Sequence, residues 1–71
     1  MKVYRLHHNG HSVTFYKDLQ EVGTAIRDVI DRHRDLKPEK IMNFQQGNFT
    51  VVIYQYWTLY TEMFLVEEIE K

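Results

Sequence analysis

Apolar and polar side chains alternate along most of this chain, and the alternation predicts strands. Residues 2–8 and 11–16 alternate on either side of Asn9-Gly10. An Asn-Gly pair between alternating segments predicts a hairpin, because both residues tolerate positive φ. A two-residue loop there pairs His8 with His11, Leu6 with Val13 and Tyr4 with Phe15 on one face, leaving Val3, Arg5, His7, Ser12, Thr14 and Tyr16 on the other. Residues 40–45 and 49–57 predict a second hairpin through Gln46-Gly47-Asn48. Whichever two of these residues form the turn, parity puts Met42 and Phe44 on the face of Phe49, Val51 and Ile53. The run Phe49 to Trp57 is the longest β-branched and aromatic stretch, and is expected to be the central strand.

The period changes to that of a helix after Asp18. Leu19, Val22, Ile26, Val29, Ile30 and His33 fall on one helical stripe, with polar residues opposite. Asp18 and Glu21 have capping-box spacing. Lys37, before Pro38, is biased toward extended backbone, which puts the helix end near Asp35. Gly23 lies on the apolar stripe and costs about 1 kcal/mol of helix propensity. Close approach of helix to sheet would explain it. In residues 62–70 the run Met63-Phe64-Leu65-Val66 fits no helical stripe, so a strand buried on both faces is expected; a helix from Thr58 is the alternative.

Together these elements predict a two-layer α+β domain, β-β-α-β-β-β, spanning residues 1–71. One amphipathic helix covers one face of an antiparallel sheet. If that face holds Val51 and Ile53, then Thr50, Val52, Tyr54 and Tyr56 lie in water, extended by Val3, Tyr16 and Ile41. Contiguous aromatic and β-branched residues there exceed what a monomer needs.

Composition narrows the chemistry. Seventy-one residues bury little surface, leaving small room for an enzyme pocket. There are no cysteines, so disulfides and thiol catalysis are excluded. A net charge of −1 does not suit binding dominated by phosphate contacts. The N-terminus has no signal-peptide pattern and no stretch is long enough to span a bilayer, so a cytoplasmic protein without membrane contact is expected.

Candidate chemistry is sparse. His7, His8 and His11 cluster at the first turn, but alternation sends His7 to the opposite face. Two ligands make a poor zinc site, so no metal and no cofactor is expected. His33 reads as a border residue of the core. The acidic end Glu67, Glu68 and Glu70 reads as a solvated strand end. No nucleophile with a supporting base and acid can be assigned, so the chain is not expected to be an enzyme.

The expected function is a small interaction module that binds a protein partner, itself, or both. Val52, Tyr54, Tyr56 and Trp57 are the expected partner-binding residues, since aromatic side chains bury large area with few rotatable bonds. A regulatory or inhibitory protein of phage or plasmid origin is one setting for such a chain. The alternative is a nucleic-acid-binding module that stacks bases on the same aromatics and uses Arg5, Arg27 and Arg34 for phosphates.

Overall fold

The computed structural model describes residues 1–10 and 12–71, with all of their side chains except those of Ser12 and Val13. The elements are β1 (Lys2–His8), β2 (Ser12–Tyr16), α1 (Leu19–Asp31), β3 (Glu39–Gln46), β4 (Phe49–Gln55) and β5 (Thr61–Glu70). They form a five-stranded sheet in the order β2-β1-β5-β4-β3, every neighbouring pair antiparallel. The expected β-β-α-β-β-β order and the strand at residues 62–70 are therefore present. The centre of the sheet is β5, however, and not β4.

Each turn follows from local chemistry. Asn9 and Gly10 take φ of 52° and 74°, which a glycine and an asparagine tolerate best. Pairing resumes at His8↔Ser12 rather than His8↔His11, so three residues and not two separate the strands. This one-residue change gives Tyr4↔Tyr16 and Arg5↔Phe15. Tyr16 thus moves to the face of Leu6, and Phe15 to the face of Arg5, the reverse of the expected register. Asn9 explains the difference in part, because it is also tied to β5. Its backbone N–H donates to the Met63 carbonyl at 2.8 Å, and its side-chain oxygen accepts from Met63 N–H at 2.7 Å. The expected His8–His11 pair lies outside the described residues.

The second hairpin closes on Gly47-Asn48, with Gln46↔Phe49 as its last pair. Gly47 takes φ 58° at the first central position, the requirement of a type II′ turn. Asn48 holds β5 as well, accepting from Glu68 N–H at 2.8 Å and donating its side-chain amide to the Glu68 carbonyl at 3.1 Å. The third hairpin needs no glycine. Tyr56 accepts from Leu59 N–H at 2.8 Å and donates to the Tyr60 carbonyl at 2.8 Å. Leu59 takes φ 70°. That is a three-residue loop whose last residue is left-handed.

Asp18 caps α1, its carboxylate accepting from Glu21 N–H at 2.8 Å. The helix ends at Asp31, earlier than expected, and a short 3-10 turn follows over Arg34–Leu36. Lys37 is left-handed at φ 54°, not extended, and donates its N–H to the Arg34 carbonyl at 3.0 Å. A left-handed residue closing a helical turn satisfies carbonyls that would otherwise have no donor.

The core is thin. Leu6, Val22, Phe64 and Val66 are buried together, with Tyr4, Tyr16, Ala25, Ile26, Val29, Ile30 and Tyr54 packed around them. Val22, Ile26, Val29 and Ile30 of the expected helical stripe are in this group. Leu19 and His33 are exposed. Gly23 is exposed too, and a Cβ there would meet nothing within 4 Å. Close approach of helix to sheet is therefore not its reason.

The face that α1 covers is the opposite of the expected one. Pairing across β5 decides this: Leu6↔Val66↔Thr50 and His8↔Phe64↔Val52. The Leu6 face, on which α1 lies, thus continues through Val66 and Phe64 to Thr50, Val52 and Tyr54. Phe49, Val51 and Ile53, with Met42 and Phe44, lie on the side without a helix. Phe64 and Val66 are buried but Met63 and Leu65 are not, so β5 is buried on one face and not on both.

Candidate functional site

The four expected partner-binding residues do not form one surface. Val52 is half-buried and Tyr54 packs against Phe64, ring centroids 6.2 Å apart at 84°. Tyr56 is only 1% exposed. The tyrosine-bearing face expected to be free is thus under the helix and the β4–β5 loop. Trp57 alone of the four is well exposed, at 67%, on that loop. The three arginines lie on separate elements: Arg5 on β1 facing away from α1, Arg27 on α1, and Arg34 in the 3-10 turn. Arg5 donates to Glu67 on neighbouring β5, from Nε at 2.8 Å and from a terminal nitrogen.

The uncovered face of the sheet is apolar. Across β5, β4 and β3 its side chains are Met63, Leu65, Ile53, Val51, Phe49, Met42 and Phe44, in neighbouring register positions. Phe15 on β2 and Val3 and Ile69 at the β1–β5 end extend it. Phe15 is 56% exposed, Phe44 52%, Met42 48%, and Phe49 and Met63 41% each. Leu65, Val51 and Ile53 are half-exposed, shielded only by their neighbours in the sheet. Arg5, His7 and Glu67 interrupt the face on the β1 side. Single exposed apolar residues are ordinary on a protein surface, but a contiguous set of this size on one side of a sheet is not.

A second feature was not anticipated from sequence. Glu62 is 2% exposed. One carboxylate oxygen accepts from the Tyr56 hydroxyl and the other is bonded to His8 Nε2. Around this centre the His8 ring stacks on Phe64 at 4.9 Å, Tyr60 stacks on Tyr56 at 5.8 Å, and His33 meets the Tyr56 ring edge-on at 5.8 Å. Asn9 donates to the Tyr60 hydroxyl at 3.2 Å. Burial, and then the hydrogen bond and negative charge of Glu62, hold the Tyr56 phenol above its ordinary pKa. A carboxylate bound to an imidazole orients that ring, which is one part of an acid–base site. Among the described side chains no serine, threonine or other nucleophile is bonded to it. Every buried polar side-chain atom among the described residues has a partner. The arrangement joins β1, β5 and the β4–β5 loop as a polar clamp.

The sequence held one signal for the clamp. In Glu62-Met63-Phe64-Leu65-Val66, alternation places Glu62 on the face of Phe64 and Val66, and a carboxylate on a core face requires a donor. The donor's identity depended on the conformation of the loop after Gln55.

Concavities are shallow. A groove of about 290 Å³ runs beside α1, lined by Ile26, Arg27, Ile30, Lys40, Val52 and Tyr54. Among the described residues no group of three histidines or acids is placed to hold a metal ion. Among the described residues no helix is long and apolar enough to cross a membrane. No family model, no curated protein and no solved structure matches this chain.

Proposed function

We propose that this chain is a non-enzymatic interaction module that recognises protein by burying the open face of its sheet. The supporting observation is the contiguous apolar set Phe44, Met42, Val51, Ile53, Phe49, Leu65 and Met63, which no element among the described residues covers. This keeps the interaction reading and moves its surface to the other side of β4. The anchors become Phe44 and Phe49, with Met42 and Met63 as adaptable fillers; thioethers suit contact surfaces because they are flexible and polarisable. Trp57, on the exposed loop, remains a candidate for the rim.

Binding here rests on apolar burial. Arg5 is held by Glu67, and Arg27 and Arg34 do not share its face. Affinity should change little with salt, whereas phosphate-driven binding falls steeply.

Methionine oxidation tests the choice of face. Met42 and Met63 lie on it, and Met1, 87% exposed, is an internal control. In an extract of cells that express the protein, Met42 and Met63 should oxidise more slowly than in the dilute purified protein, while Met1 should not change. Equal oxidation in both settings would rule out this surface as the interface.

A further inference from the structure

We infer that the occupant of the open face is a second copy of this chain, giving a face-to-face sandwich of two sheets with the helices outside; this rests on the interaction reading above.

Three features of the face point to a second copy. The first is charge. The charged side chains at its centre, Arg5 and Glu67, are cross-strand neighbours bonded to each other, while Lys71, 5.8 Å over the Phe15 ring, and Glu39, across from Gln55, put one charge of each sign at its ends. The face as a whole is neutral and apolar. Two identical faces of zero net charge therefore meet without net repulsion, the condition an isologous two-fold interface imposes. A foreign partner selected by charge would leave an excess of one sign on this surface, and the pairing of Arg5 with Glu67 removes it.

The second feature is area. Five strands about 4.8 Å apart and about seven residues long make a face of roughly 24 by 24 Å. That is about 580 Å² before side-chain relief, at the low end of the roughly 600–1,000 Å² per partner of a stable interface. The apolar part on β5, β4 and β3 covers only about half of that. The contact must then use the whole sheet, with Phe15 and the Arg5–Glu67 pair inside it. Two sheets of one size and one twist fit in this way, strands crossing at about 30° and sheets about 10 Å apart.

The third feature is the thin core. Four buried apolar side chains form its central cluster, all on the α1 side of the sheet. A second sheet would give Val51, Ile53 and Leu65 the covering layer they lack, the usual remedy for a domain this small.

The test is sedimentation equilibrium of the purified chain across low to high micromolar concentration, with oxidation of Met42 and Met63 followed in the same samples. A dimer is expected, with protection of both methionines rising alongside the dimer fraction. Leu65→Lys, at the centre of the face, and Phe44→Lys, on exposed β3, should each weaken dimerisation by about 100-fold. Circular dichroism confirms that the variants remain folded, and Phe44→Lys serves if Leu65→Lys does not. Arg27→Ala, on exposed α1, should leave the equilibrium unchanged. A monomer at all concentrations, with Met42 and Met63 still protected in cell extract, would overturn the second copy and leave the interaction reading standing. A monomer without protection in extract would overturn both. A dimer that Phe44→Lys and Leu65→Lys do not weaken would show that copies meet elsewhere.

Discussion

Tyr56 is a reluctant acid, because its phenol is buried and its hydroxyl proton is held by the carboxylate of Glu62. Replacing it with phenylalanine leaves that buried oxygen without a donor, which costs about 1–3 kcal/mol. Urea denaturation of Tyr56→Phe at neutral pH should read that loss. The pH dependence has a definite sign. The folded-state pKa is raised, so the unfolded chain gives up its phenolic proton first, near the ordinary value of 10.0. The stabilisation is complete below that pH and is lost as pH rises beyond it. The stability gap between the wild type and Tyr56→Phe should therefore narrow as pH is raised from neutral to about 11. A constant gap would mean that the phenol titrates alike in both states. Alternation showed in the sequence that Tyr56 shares a face with Tyr54. It did not show that this face is covered, because burial of this tyrosine depends on whether the loop after it places Glu62 to accept its hydrogen bond.

The elements themselves were legible. Alternation placed all five strands to within two residues, and the 3.6-residue period placed α1 with its Asp18 cap. These are local properties, set by spacing along one segment. The helix end was less so: Lys37 is left-handed despite the proline after it, because its N–H closes the turn on Arg34. Two element-scale predictions follow from backbone chemistry. Gly23 sits in an exposed helix position with free space around it. Gly23→Ala should raise stability by about 0.5–1 kcal/mol by restricting the unfolded chain, measured as a higher denaturation midpoint. Leu59 is an exposed non-glycine residue at φ 70°. Leu59→Gly should relieve about 1 kcal/mol of backbone strain and raise the midpoint as well. A fall in either case would reveal a packing role that the open surroundings do not indicate.

At the scale of the molecule, the sheet face under the helix was not legible, and β4 is the reason. Its two faces, Phe49-Val51-Ile53 and Val52-Tyr54-Tyr56, are both apolar enough to be core. Only pairing across β5 decides between them, and that register links residues more than fifty positions apart, such as His8 and Phe64. No turn in the sequence fixes such a register. The first hairpin failed in a related way, since one extra loop residue exchanged Phe15 for Tyr16. If two copies pair through the open face, folding and association are linked, and the melting temperature should rise with protein concentration. Differential scanning calorimetry over a hundredfold range checks this, about tenfold steps being enough to resolve the trend. A melting temperature that does not move would speak against a dimer formed on folding.

The position of β5 has a consequence for how this molecule forms. The β1–β2 hairpin and the β3–β4 hairpin share no strand boundary; within the sheet each is joined to the other through β5. Either hairpin can form early, since its contacts are close in sequence and its loop is short. Neither gains a finished sheet until residues 61–70 slot between them, pairing Lys2 with Glu70 on one side and Phe49 with Glu67 on the other. Pairing with β4 needs only the short third hairpin, whereas pairing with β1 closes nearly the entire chain into a loop. The last strand is thus the keystone of the sheet, and its pairing with β1 is expected to limit the folding rate. Substitutions in β5 should slow refolding, while those confined to either hairpin should mainly hasten unfolding.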